Sequence, residues 1–344
     1  MLETSELASN RIRKILKPLE KDEPSLYRIC FELLEKRLGN FLLRGYLARF
    51  SYQAVGSSGD WKNIIDFVAA VELEIAAMYY SNRIFDQKGG KEILSDPNKS
   101  FMAAVILRDM ASLSLTSIPS VPCNDHLNIK NIFDEIDRVF YVGEYRDMYI
   151  NVYSETLEID ETKMLDLYIQ RCYEIDGHYF EKIAEISSVL ANAKIEETAA
   201  LKQFGKDFGI ALQIINDIAD FIPPEEGLGT SSKIPDDAYS DIKMGKLTAP
   251  LIFTLCNGSE SEKETVTHAL KGKSTSKEQL VEITKMLVNN GSITYAQRLA
   301  RKYANSAKKA LSIFSLETRR PLALMCVLID SNRYIKAMRK YKTA

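Results

Sequence analysis

Apolar residues along this chain recur at helical spacing, and no alternating strand pattern of useful length interrupts them. No proline lies between Pro122 and Pro223, and glycine is sparse there, so long helices are permitted. Asp60 is placed to cap a helix running through WKNIIDFVAAVELEIAAMYYSNRIFDQ, with Gly89 and Gly90 as its stop. Further helices are predicted over residues 100–115, 129–153, 161–193 and 196–221, the last halted by Pro223 and Pro224. In that last helix Gly205 and Gly209 stand one turn apart, a spacing that lets a neighbouring helix approach closely. Segments after Pro250 also read as helices, bounded by turns such as Asn257-Gly258 and Asn290-Gly291. With no internal repeat and no low-complexity linker, the simplest expectation is one all-α domain over residues 1–344, with residues 1–35 as a helical extension and 36–344 as the core bundle.

Composition narrows the class only a little. Hydrophobic content of 46% and charged content of 27% are ordinary for a soluble protein and provide material for a sizeable core. A net charge of −2 without a basic block gives no case for nucleic-acid binding. Three scattered histidines argue against a His-rich zinc site. Five widely spaced cysteines without a CxxC pair fit reduced thiols and a cytoplasmic location. The charged N-terminus lacks the apolar stretch of a signal peptide, and no run is long and apolar enough for a transmembrane segment.

Candidate chemistry concentrates between Gln213 and Pro250. Asn216, Asp217 and Asp220 fall at the end of a helix, with acids at spacings that share one face. A turn-rich loop follows, then Asp241, Lys243 and Lys246 in DIKMGKLTAP. Oxygen ligands on one side and lysines on the other suit Mg²⁺ holding a phosphorylated substrate. The bland alternative is a solvent-facing helix end followed by ordinary loop lysines.

The chain resembles the trans-isoprenyl diphosphate synthases (the polyprenyl synthetase family). LKQFGKDFGIALQIINDIAD with SDIKMGKLTAP resembles that family's second aspartate-rich motif and the Gly-Lys-x-Thr-x-Pro segment after it. GEYRDM resembles its Gly-Gln-x-x-Asp helix, with Glu144 for glutamine, and SSVLANA its small-residue stretch. The resemblance runs from about Gly39 to the C-terminal helix. It implies an isoprenoid-synthase helical bundle around a central cavity, shared with class I terpene synthases. It also implies Mg²⁺ bridging carboxylates to an allylic prenyl diphosphate, and departure of the diphosphate in a pocket that excludes water. A homodimer, or a heterodimer with a related synthase, is implied in the same way.

Departures from the family pattern are substantial. In the first aspartate-rich motif the leading acids become Asn82 and Arg83, and Asp86 alone remains. An arginine cannot bind Mg²⁺, although a guanidinium can hold a phosphate. Pairing of Arg83 with Glu144 or Asp147 is the structural alternative. At the site for isopentenyl diphosphate the lysine becomes Phe41 while Arg44 remains, the histidine falls at Ile75, and a Lys-Thr pair falls at Ile175 and Asp176. In the second motif Asn216 replaces an aspartate, as in terpene synthases.

The resulting expectations are these. Asn216, Asp217, Asp220, Asp86 and Asp241 are candidate metal ligands. Arg44, Arg83, Lys233, Lys246 and Gln213 are candidate diphosphate contacts. Glu144, Asp147, Asp176, His178 and Tyr79 are candidate cavity-lining residues, a lone histidine such as His178 being more often a satisfied core group. Catalytic residues are not assigned. Three functions stay open: a divergent Mg²⁺-dependent prenyltransferase or terpene-synthase-like enzyme that ionises an allylic prenyl diphosphate; a catalytically impaired regulatory subunit of a heteromeric synthase; and, least supported by the substitutions, an ordinary chain-elongating synthase.

Overall fold

The computed structural model describes residues 2–38, 42–56, 59–87, 96–119, 121, 123–222, 238–272 and 276–330. Its main helices are α1 Leu2–Asp22, α2 Pro24–Leu38, α3 Leu43–Ala54, α4 Ile65–Phe85, α5 Pro97–Ser114, α6 Cys123–Tyr149, α7 Glu161–Cys172, α8 His178–Leu190 and α9 Ile195–Ala219. There follow α10 Ser240–Lys243, α11 Ala249–Asn257, α12 Glu260–Leu270, α13 Lys277–Asn289, α14 Ser292–Ala310, α15 Leu316–Met325 and α16 Val327–Asp330. Among the described residues there is no strand, only an isolated antiparallel bridge between Val152 and Lys246. The all-α expectation holds, and no described helix is long and apolar enough to cross a membrane.

Local chemistry explains the boundaries. Asp60 caps as expected, accepting from the Lys62 amide at 3.0 Å, but the first turn, Trp61–Ile64, is a 3-10 turn before α4 begins. The helix ends at Asp86 because Gln87 takes a left-handed φ of 50°; Gly89 and Gly90 lie outside the described residues. Asp96 caps α5 with Pro97 in its first turn, so that helix starts three residues earlier than expected. The helix predicted over 161–193 is α7 and α8 joined through a π-helical turn, Tyr173–Gly177.

The chain packs as two compact units. The first comprises residues 1–140, 178–205 and 308–324. Its centre is α4, where every residue from Asp66 to Met78 is buried, as expected of a helix with neighbours on all sides. Gly45 lets α3 lie close, and its amide donates to Glu72 Oε1 at 2.8 Å. Tyr179 donates its hydroxyl to the Val71 carbonyl at 2.5 Å, tying α8 to α4. A Cβ on Gly205 would stand 2.4 Å from the Phe180 carbonyl oxygen, so the start of α9 and α8 touch backbone to backbone.

The second unit comprises residues 141–177, 206–307 and 325–344. Here Gly209 performs the same service, its would-be Cβ lying 2.7 Å from Gly177 Cα. The close approach expected of the glycine pair is therefore present at each position. After α6 the chain pairs with residues 245–247: the Tyr153 amide donates to the Gly245 carbonyl at 2.7 Å and the Leu247 amide to that of Asn151 at 3.0 Å. Gly245 has φ +74°, which favours glycine, and this turn delivers Lys246 into the interior. Ser259 and Ser276 form capping boxes for α12 and α13. Cys30, Cys172, Cys256 and Cys326 are free thiols, and burial pushes the Cys30 thiol up to about 12.

Candidate functional site

The second unit brings four separated segments of chain to one buried ionic network. Near its end α6 carries Glu144 and Asp147, three residues apart and both buried. On α7, Tyr168 and Arg171 share a face with the buried Met164. Gln213 and Asp217 lie one turn apart on α9. Lys246 arrives from the turn described above.

Arg171 is the hub. Its Nε pairs with Asp147 Oδ1, and its Nη1 donates to Asp217 Oδ2 at 2.8 Å. Lys246 Nζ pairs with the other Asp147 oxygen, Oδ2. Asp217 Oδ2 also accepts from the Tyr168 hydroxyl at 2.7 Å, and Asp217 Oδ1 accepts from Gln213 Nε2 at 2.7 Å. The side chains of Arg171, Asp147, Asp217 and Lys246 are between 1% and 4% exposed, so none of these charges has water to fall back on.

Protonation follows from this arrangement. Burial alone disfavours the Arg171 cation, but Asp147 and Asp217 outweigh it and hold the guanidinium charged. Burial pushes Asp217 up to about 6 against the pull of Arg171. Burial and the neighbouring Asp217 charge keep the Tyr168 phenol protonated and donating.

Asp220 has a different local role. Its Oδ1 accepts from Ser240 Oγ and its Oδ2 from the Asp241 amide, both at 3.0 Å. It thereby fastens the start of α10 to the end of α9. Asp241 is buried in that short helix, whereas Asn216 is exposed. Asp176 is buried within the π-helical turn, and Ile175 beside it is partly buried.

The remaining expected site residues belong to the first unit. Arg44 lays its guanidinium over the Phe180 ring at 5.1 Å, and Arg83 lies over the Tyr79 ring at 4.7 Å. Asp86 is buried just past the end of α4, its amide donating to the Asn82 carbonyl at 2.8 Å. His178 Nε2 stands 3.9 Å from Glu135, yet burial and the Lys182 charge push its pKa down to about 4, so it is neutral at pH 7. Ile75 is buried. Lys233 and Phe41 lie outside the described residues.

The sequence reading missed Arg171 and Tyr168. A signal was present: Arg171 occupies the apolar stripe of Met164, Tyr168 and Cys172, where a charge must find a buried partner.

The sequence model of the polyprenyl synthetases matches residues 93–287, a stretch that contains Asp147, Arg171, Asp217 and Lys246 and begins beyond Asp86. A geranylgeranyl diphosphate synthase of Sulfolobus acidocaldarius is 26% identical over 91% of this chain and 92% of its own. An octaprenyl diphosphate synthase of Haemophilus influenzae is 22% identical over 88% of this chain and 86% of its own. The crystal structure of geranylgeranyl pyrophosphate synthetase from Pyrococcus horikoshii superposes with a TM-score of 0.79 at 25% identity, covering 95% of each chain. The chain has the all-α isoprenoid-synthase fold of these structures, as its motifs implied.

Proposed function

This chain belongs to the polyprenyl synthetase family, and from that premise we propose that it binds an allylic prenyl diphosphate and acts on it as a prenyltransferase whose acceptor is not isopentenyl diphosphate. The observation that carries the reading is the convergence of Asp147, Arg171, Asp217 and Lys246. Burying four charges is costly and adds little stability by itself, so a buried cluster of this kind is a candidate functional site. Against ordinary elongation stand Ile75 and Ile175, apolar where the family resemblance puts cations. The relatives are named as geranylgeranyl and octaprenyl diphosphate synthases, so elongation is the outcome that would overturn this reading.

Mg²⁺ is the metal the resemblance implies. Of the expected ligands, Asp217 and Asp220 do not fit it, because each of their oxygens already accepts from a protein donor. No chemical step is therefore assigned to a metal at these residues. The same saturation favours a second reading, a catalytically impaired subunit that partners an active synthase.

Pairing with another subunit is supported by exposed apolar surface. Tyr141, Tyr145 and Tyr149 recur every four residues on α6 with Val142 beside them, and α5 exposes Phe101, Met102 and Val105. The deciding experiment is pyrophosphate release from geranyl, farnesyl and geranylgeranyl diphosphates, with and without isopentenyl diphosphate. Release without it supports the first reading. Release only with it would make the chain an elongating synthase. No release under either condition, with co-purification of an active synthase, would leave the subunit.

A further inference from the structure

We propose that Arg171, together with Lys246, takes the place of a divalent cation in the second acidic segment, so that Asp147 and Asp217 form a metal-free, internally neutralised network. Asp147 and Asp217 contribute two negative charges, and Arg171 and Lys246 contribute two positive ones. All four are buried, and their charges balance among themselves; the buried Asp241, whose charge also acts on Arg171 and Asp217, lies outside this set.

Every oxygen of Asp147 and Asp217 already faces a protein cation or donor. Mg²⁺ demands near-octahedral oxygen ligands at short range and gives up its water reluctantly. At Asp217 one oxygen accepts from Tyr168 and Arg171, and the other accepts from Gln213. At Asp147 one oxygen pairs with Arg171 and the other with Lys246. A metal entering here would have to displace a guanidinium that cannot lose its proton and would repel the ion.

Nor can Arg171 swing aside at small cost. It sits on the buried face of α7 with Met164 and Tyr168, one residue from the helix end, where a guanidinium without its carboxylate partners would be a stranded buried charge. Asp220 is committed elsewhere, because its oxygens hold Ser240 and the Asp241 amide and so fasten α10. The acids that look like a metal motif in sequence thus serve as counter-ions and as a cap.

This inference concerns cation occupancy and stands apart from the catalytic reading, so turnover is not its test. Mn²⁺ binding to the full-length chain, read by equilibrium dialysis and by electron paramagnetic resonance, is. Asp217→Asn and Asp220→Asn should leave the number of bound Mn²⁺ ions and their affinity as in the wild type. Arg171→Met, which frees Asp147 Oδ1 and removes one of the two donors to Asp217 Oδ2, should gain about one Mn²⁺ per chain, and Arg171→Met combined with Asp217→Asn should lose it again. A drop in wild-type Mn²⁺ affinity of about 10-fold or more on Asp217→Asn or Asp220→Asn would overturn the proposal. So would a folded Arg171→Met protein that gains no ion. If Arg171→Met does not fold, as judged by circular dichroism, the comparison of wild type with Asp217→Asn and Asp220→Asn decides alone.

Discussion

Arg171 donates to Asp217 at 2.8 Å in surroundings that leave both side chains less than 5% exposed. A buried pair of this kind is worth little against an apolar replacement of the whole set, but breaking it from one side strands a charge. Arg171→Met should therefore destabilise the fold by about 3–5 kcal/mol. Arg171→Lys should recover only part of this, since an ammonium cannot span Asp147 and Asp217 as the planar guanidinium does. Urea unfolding of the three proteins measures both.

Tyr168→Phe removes one donor to Asp217 while keeping the ring in place. The expected loss is about 1.5–3 kcal/mol, the range for a hydrogen bond to a charged group. A loss near zero would mean that Arg171 and Gln213 satisfy Asp217 on their own.

Glu74 lies fully buried on α4 with no hydrogen-bond partner among the described residues. Burial pushes its pKa up to about 8, the Arg108 charge opposing and the Asp134 charge adding to it. The unfolded chain ionises the same group near ~4.3, so its contribution to stability is complete below that pH and is lost as pH rises towards 8. Glu74→Gln should flatten that slope and stabilise the protein at pH 7.5 by on the order of 3 kcal/mol relative to wild type. Unfolding curves that stay parallel for the two proteins from pH 5 to 8 would contradict the buried acid described here.

Gly205→Ala would place a methyl 2.4 Å from the Phe180 carbonyl oxygen, where backbone must move to make room. A cost of about 2–3 kcal/mol is expected, as for other overpacked contacts. Gly56→Ala, with nothing within 4 Å of the added carbon, is the control and should change stability by less than about 1 kcal/mol. Thermal unfolding separates the two.

Tyr145 is 59% exposed and Tyr149 63%, on the outward stripe of α6. If that stripe pairs with another subunit, Tyr145→Glu combined with Tyr149→Glu should reduce the mass seen by light scattering while leaving helical content unchanged. An unchanged mass would remove the stripe from the proposed interface.

Much of the fold was legible from the sequence because its signals are local. Asp60, the Gly205 and Gly209 pair, and the turns at Gly258 and Gly291 each act through near neighbours or backbone sterics. The π-helical turn at Tyr173–Gly177, whose Gly177 lies against Gly209, was not legible, since no local residue pattern marks it. The site was legible only in part. Asp217 and Lys246 were singled out by their motif, as metal ligand and diphosphate contact, but what they bond to depends on Arg171 and Asp147, 46 residues from Asp217 and 99 from Lys246. The role of Asp220 as an anchor for Ser240 and Asp241 likewise needed the folded chain.

The most direct test of the neutralised network is a crystal of the wild-type protein soaked in Mn²⁺ and examined by anomalous diffraction. The account predicts no anomalous peak within coordination distance of Asp147, Asp217 or Asp220, with Arg171 still seated against Asp217. A peak bound to an oxygen of Asp217 or Asp220, with Arg171 displaced, would contradict it.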